Sequence, residues 1–214
     1  MNQFKEEVLS TLNQYPSLTL MKNGEVKGTL DITNKSGVIL ESFSLKIKFP
    51  YDYPKKLPIV SETSDILPRN KDAHVYSNGQ FCLTSPLKEY LICKNGITFS
   101  VFMSEILIPF LSAQLAILCG YIKEFPQGEY GHGSDGIYES YVEYFEVNDP
   151  AIIISALQMV KNKNIRNMAC FCNSGKKLKS CHLNHIMLLK SFDKASLNND
   201  IASLSTYKIP KQTF

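Results

Sequence analysis

Near the C-terminus, three cysteines and a histidine fall within thirteen residues, as Cys170-Phe171-Cys172, eight intervening residues, then Cys181-His182. Three thiolates and one imidazole close a tetrahedral shell around Zn2+ and leave no open position, which makes a structural rather than a catalytic site. So short a loop cannot bury a core of its own, and the metal supplies most of its folding energy. The competing reading is an unmetallated cluster of reactive thiols.

A second cysteine carries a different chemistry. In Asn78-Gly79-Gln80-Phe81-Cys82-Leu83 a turn signal presents Cys82 just beyond the turn. A thiolate is both a good nucleophile and a good leaving group, the combination that acyl transfer needs. A free thiol ionises near pH 8.5, so a neighbouring donor raises its reactive fraction. His74, eight residues upstream, is such a donor and titrates in the useful range. The plainer alternatives are a buried structural thiol for Cys82 and a loop hydrogen-bonding role for His74. Cys93 and Cys119 sit in no motif and read as structural. His132, between glycines in Gly128-Glu129-Tyr130-Gly131-His132-Gly133, serves either a site or a tight turn.

With 214 residues, 44% hydrophobic and 20% charged, the chain has the composition of an ordinary globular protein. The start, Met1-Asn2-Gln3-Phe4-Lys5-Glu6-Glu7, has no basic flank before an apolar run, so no secretory signal is read and a cytoplasmic protein is expected. Without a signal, six cysteines point to metal and reactive thiol rather than to disulfides. Ile106–Ile122 is apolar but interrupted by Pro109 and Gln114, and reads as a core helix, not a membrane span. A net charge of +3 with no long basic block gives non-specific nucleic-acid binding little compositional support, and no specific nucleic-acid partner is expected. Lys176, Lys177 and Lys179 read as a small solvated face.

These residues need elements to position them. Phe4, Val8 and Leu12 share one face of a helix over residues 3–14. Alternating segments at Thr19-Leu20-Met21, Val26–Ile32 and Phe43–Phe49, and a fourth near Leu57–Ser61, read as an antiparallel meander broken at Asn23-Gly24 and Asn34–Gly37. Asp65 to about Lys94 shows no periodicity, and such long irregular segments are usually functional. Helices follow at Phe99–Ile122, Gly136–Phe145, Pro150–Lys161 and Ile186–Phe192. The fold class is α+β, with helices against one face of the sheet.

Two stretches taken together resemble the ubiquitin-conjugating enzymes. One is Phe49-Pro50-Tyr51-Asp52-Tyr53-Pro54-Lys55-Lys56-Leu57-Pro58; the other is His74-Val75-Tyr76-Ser77-Asn78-Gly79-Gln80-Phe81-Cys82-Leu83. That family has a strand ending in Phe-Pro, then Tyr-Pro and a further Pro, and later a turn two residues before the catalytic Cys-Leu. The resemblance implies a thioester at Cys82. It also places His74 where the family carries the asparagine of His-Pro-Asn, since that tripeptide falls on Asp72-Ala73-His74. The chain has no tryptophan, another departure from eukaryotic members that suits divergent bacterial relatives.

Met168–His182 resembles the SEC-C motif of the bacterial translocation motor SecA, with Asn173 in place of the usual glycine. A conjugating-type core with this tail resembles the stand-alone conjugating component of antiphage operons that signal through cyclic oligonucleotides (CBASS). What that implies is a partner, a cGAS-like nucleotidyltransferase whose C-terminal tail is the acyl donor. The expected division is 1–147 conjugating-type domain, 148–163 helical connector, 164–192 zinc module and 193–214 flexible tail. The alternatives are a catalytically inactive binding module and an adaptor built on the SEC-C module.

Overall fold

The alternation of Phe43, Leu45 and Ile47 with Ser44, Lys46 and Lys48 sets the first layer. In the computed structural model, which describes residues 3–125 and 133–209, those three apolar residues are buried along β3 (Ile39–Lys48). Strands β1 (Leu18–Leu20), β2 (Val26–Thr33), β3 and β4 (Ile59–Glu62) form one antiparallel sheet in sequence order. The expected meander and the α+β class are therefore present. Gly28 pairs with both Leu18 and Leu45 at φ +139°, and a Cβ there would stand 2.0 Å from the Ser17 carbonyl oxygen. Only glycine fits.

The chain divides into two units, Met1–Thr84 with Glu89–Glu129, and Ser85–Lys88 with Tyr130–Phe214. In the first, α1 (Gln3–Leu12) buries Val8 and Leu12 in the core formed with the sheet. The Glu7 carboxylate accepts from the Tyr53 hydroxyl at 3.3 Å and from the Phe99 backbone amide. It thus sits at the start of a helical run, where free amides and the helix dipole favour a negative charge. That run comprises α3 (Phe99–Phe102), a π-helical turn at Met103–Leu107 and α4 (Ile108–Leu118). By length and composition Phe99–Leu118 could cross a membrane. Its Phe99, Phe102, Met103, Leu107 and Leu111 are instead fully buried in the hydrophobic cluster of the sheet.

Within the segment read as irregular, Pro86–Cys93 is helical and forms α2. Its 3.6-residue period is too short-lived to stand out over eight residues.

In the second unit, α5 (Ser134–Phe145), α6 (Pro150–Met159), α7 (Leu183–Leu189) and α8 (Lys194–Thr206) are joined by the cysteine-rich loop. Of the residues expected to form a flexible tail from 193 onward, 194–206 are instead helical. Asp193 caps α8 by accepting from the Ser196 amide at 2.7 Å, and Leu197, Asp200 and Leu204 are buried. The buried Tyr141 hydroxyl donates to Asp200 Oδ2 at 2.8 Å. The division at 147 and 163 also shifts, because α5 and α6 belong to the same unit as the cysteine loop.

Candidate functional site

Cys82 is positioned from the sheet edge. After β4 the chain loops out and returns through Gln80 and Phe81, which bridge Ser61 and Val75 respectively. The Glu62 amide donates to the Gly79 carbonyl at 3.0 Å, and the Phe81 amide to the Val60 carbonyl at 2.9 Å. Gly79 has φ +81°, and a Cβ there would lie 2.5 Å from the Glu62 carbonyl oxygen. The Asn78-Gly79 turn is thus clamped against β4.

A buried ion pair stiffens the same place. Glu62, 2% exposed, receives Arg69 Nη1 at 2.8 Å and also accepts from the Ser64 and Ile66 amides. Arg69 Nη2 bonds the Glu62 carbonyl at 3.0 Å and Asp65 at 2.7 Å. A desolvated carboxylate survives there because Oε1 accepts from the Ser64 and Ile66 amides while the Arg69 guanidinium lies against Oε2 as a counter-charge.

Cys82 itself is partly exposed, which favours the accessible thiol over the buried structural one. Its amide donates to the His74 carbonyl at 2.8 Å. His74 is held in a left-handed conformation, φ +51°, unusual for a side-chain-bearing residue. Its own amide bonds the Lys71 carbonyl at 2.8 Å, and the preceding Ala73 carbonyl accepts from the buried Gln114 amide. The His74 ring meets Phe125 edge-on at 5.4 Å, and Phe125 stacks on Phe110 at 5.7 Å. The structure therefore brings His74 and Cys82 together through the backbone and buttresses the histidine from α4. Cys93 is fully buried, with its thiol pushed up to about 11 by burial, then by the charges of Glu89 and Asp52. Cys119 is exposed. His132 lies outside the described residues.

Sequence reasoning passed over Tyr76. Interaction with the neighbouring Cys82 side chain first, and then burial, raise its phenol above the ordinary range. A phenol that holds its proton is a donor to a neighbouring sulfur anion. Its position between His74 and Cys82 in the same loop was the available signal.

The second site lies in the other unit. The ligand atoms of Cys170, Cys172, Cys181 and His182 all lie within 4.8 Å of one another. His182 Nδ1 is 3.2 Å from both Cys170 Sγ and Cys181 Sγ, and Cys172 Sγ is 3.4 Å from Cys170 and 3.6 Å from Cys181. A tetrahedron with Zn–S of about 2.3 Å has edges of roughly 3.5–3.8 Å, so the four residues fit a zinc ion.

Local structure explains how they meet. Ala169 and Lys177 form an antiparallel bridge, and the Cys170 amide donates to the Lys176 carbonyl at 2.9 Å. Asn173, at φ +58°, supplies the left-handed turn between the halves. A 3-10 turn at Leu178–Ser180 delivers Cys181, and His182 opens α7. Phe171 covers the His182 ring at 4.8 Å. Burial pushes the Cys170 thiol up; at Cys172 burial acts in the same sense but hydrogen bonds, from Ser174 first, overrule it and lower the thiol. A metal taken up here displaces thiol protons.

Chemically, then, the chain carries a Cys3His cluster whose geometry suits a metal ion and, in its α+β unit, an accessible thiol on a braced loop. The SEC-C motif matches residues 166–184, a span that holds all four ligands. No curated protein matches the chain.

Proposed function

We propose that the chain is a ubiquitin-conjugating-like acyltransferase with Cys82 as its thioester-forming nucleophile and a structural Zn2+ held by Cys170, Cys172, Cys181 and His182. The observation that carries this reading is the Cys82 loop: a partly exposed thiol beyond a clamped turn, its amide tied to the His74 carbonyl and its side chain beside Tyr76. The Cys82 thiolate attacks the activated C-terminal carbonyl of a protein and expels its leaving group, forming a thioester. An amine then attacks that carbonyl, and the sulfur leaves as thiolate. His74 takes the proton of the attacking amine or steadies the oxyanion. Activation of the donor is supplied by another protein.

The donor in this reading is the C-terminal tail of a cGAS-like nucleotidyltransferase, bound extended with main-chain hydrogen bonds. Its conjugation primes antiphage signalling in the cytoplasm. Intact-mass analysis of protein purified with that partner tests the proposal. An adduct on Cys82 that collapses under a thiol reductant is expected, absent in Cys82→Ala and more stable as the ester in Cys82→Ser. Full conjugation by Cys82→Ala ends the proposal.

The SEC-C match favours a second reading, an adaptor that only holds a partner protein. Under it, Cys82→Ala leaves the partner bound and no adduct forms on the wild type.

A further inference from the structure

The net charge of +3 conceals a strong segregation. Residues 150–192 contain six lysines, one arginine and no aspartate or glutamate, whereas the rest of the chain carries sixteen basic against twenty acidic side chains. All seven cations, Lys161, Lys163, Arg166, Lys176, Lys177, Lys179 and Lys190, are exposed. Among the described residues none of them forms an ion pair. A Cys3His cluster holding Zn2+ has a formal charge of −1, so the segment remains strongly positive.

The fold gathers these charges into two groups within the second unit. The Lys179 amide donates to the Arg166 carbonyl at 3.0 Å and the Leu178 amide to the Met168 carbonyl at 2.8 Å, so the two halves of the cysteine loop form a ribbon. Leu178 is fully buried, which turns its neighbours Lys177 and Lys179 outward. Lys190 Nζ reaches the Asn162 carbonyl at 2.7 Å, placing a third charge beside Lys161 and Lys163.

We infer that this face of the second unit binds the phosphodiester backbone of a nucleic-acid duplex, independently of sequence. Three observations select that partner. Six of the seven cations are lysine, a point charge suited to phosphates and depleted in protein–protein interfaces. The segment has only two aromatic side chains, Phe171 and Phe192, and both are buried, so nothing is offered for stacking splayed bases as single-strand binders require. A concentration of positive charge releases counterions from a polyphosphate, which is the source of sequence-independent affinity. The sites proposed above at Cys82 play no part.

The test is fluorescence anisotropy of the zinc-loaded full-length chain with a 20-base-pair duplex, as RNA and as DNA of the same sequence, from 50 to 200 mM salt. Binding of at least one duplex is expected, indifferent to its base order, and the RNA and DNA arms show which backbone is preferred. Log affinity should fall against log salt with a slope of about −3 to −5, the value for roughly four to five neutralised phosphates. Replacing Arg166, Lys177 and Lys179 together by Gln should weaken binding at least about tenfold and flatten the slope by up to about 2.7. Lys161→Gln, Lys163→Gln and Lys190→Gln, all outside the ligand loop, should do the same if the first variant loses zinc. Lys22→Gln with Lys35→Gln, on exposed turns of the other unit, should change nothing. No duplex binding at 50 mM salt overturns the inference. So does unchanged affinity in both triple variants, or preference for polyglutamate or anionic phospholipid vesicles over either duplex.

Discussion

The Cys82 backbone amide donates to the His74 carbonyl at 2.8 Å, so the two candidate catalytic residues are coupled by the main chain. His74 owes its position to a left-handed backbone at φ +51° and to Gln114, whose amide holds the preceding carbonyl. A substitution at His74 therefore acts on chemistry and on loop shape, and the two need separate variants.

For the chemistry, His74→Ala should slow discharge of the Cys82 adduct to an amine by about 10²-fold, the usual cost of a lost general base or oxyanion donor. His74→Asn tolerates the left-handed backbone and can still donate, so it should recover much of that rate. Single-turnover discharge measures both. Wild-type kinetics in His74→Ala reduce the residue to a loop former.

Glu62 is buried with Arg69 as its charged partner. Arg69→Met should destabilise the first unit by about 3–5 kcal/mol, since it strands a desolvated carboxylate. Because the same pair braces the Gly79 turn, Cys82 should react faster with a thiol reagent in that variant. Denaturant melts and alkylation rates measure the two effects, and unchanged stability refutes the assignment.

The Cys3His cluster predicts one zinc per chain by elemental analysis. Chelation should raise amide exchange across 166–184 and α7 while leaving β1–β4 protected, because the metal substitutes for a core in that loop. Cys172→Ala should lose the metal outright. A metal-free protein with unchanged exchange would show that the cluster is held by packing alone.

Asp200 is buried beneath Tyr141, and burial raises its carboxyl above the ordinary aspartate range although the Tyr141 hydrogen bond acts in the opposite sense. A carboxyl with a raised folded-state pKa binds its proton more tightly when folded. Its contribution is complete below the unfolded value of about 3.9 and is lost as pH rises through the folded value. Asp200→Asn keeps an acceptor for Tyr141 without the charge. The stability difference between wild type and Asp200→Asn should therefore move in favour of the wild type as pH falls from 7 to 4. Comparing the two proteins at each pH cancels any acid loss of metal. A difference independent of pH would mean that Asp200 titrates alike in both states.

Much of the scaffold was legible because it rests on local periodicity. Phe43, Leu45 and Ile47 alternate as a half-buried strand must, and Val8 and Leu12 recur as a helix face must. The cysteine loop was equally plain, since a Cys3His set needs only spacing and a left-handed residue, which Asn173 provides at φ +58°. Residues beyond 193 read as mobile because α8 is polar except at Leu197, Ile201 and Leu204. What orders it is Tyr141, which bonds a residue 59 positions away. The whole-chain charge likewise hid the acid-free run at 150–192, a feature present in the sequence but diluted in its sum.

The sequence by itself determined which elements form and which side chains could carry chemistry, because hydrophobic period, turn residues and ligand spacing act over a few positions. Only the tertiary structure decided how those side chains stand. It placed Tyr76 against Cys82, sealed Glu62 under Arg69 and turned Lys177 and Lys179 outward on either side of Leu178. Each of these depends on which surfaces lose water when distant segments meet, and no local pattern encodes that.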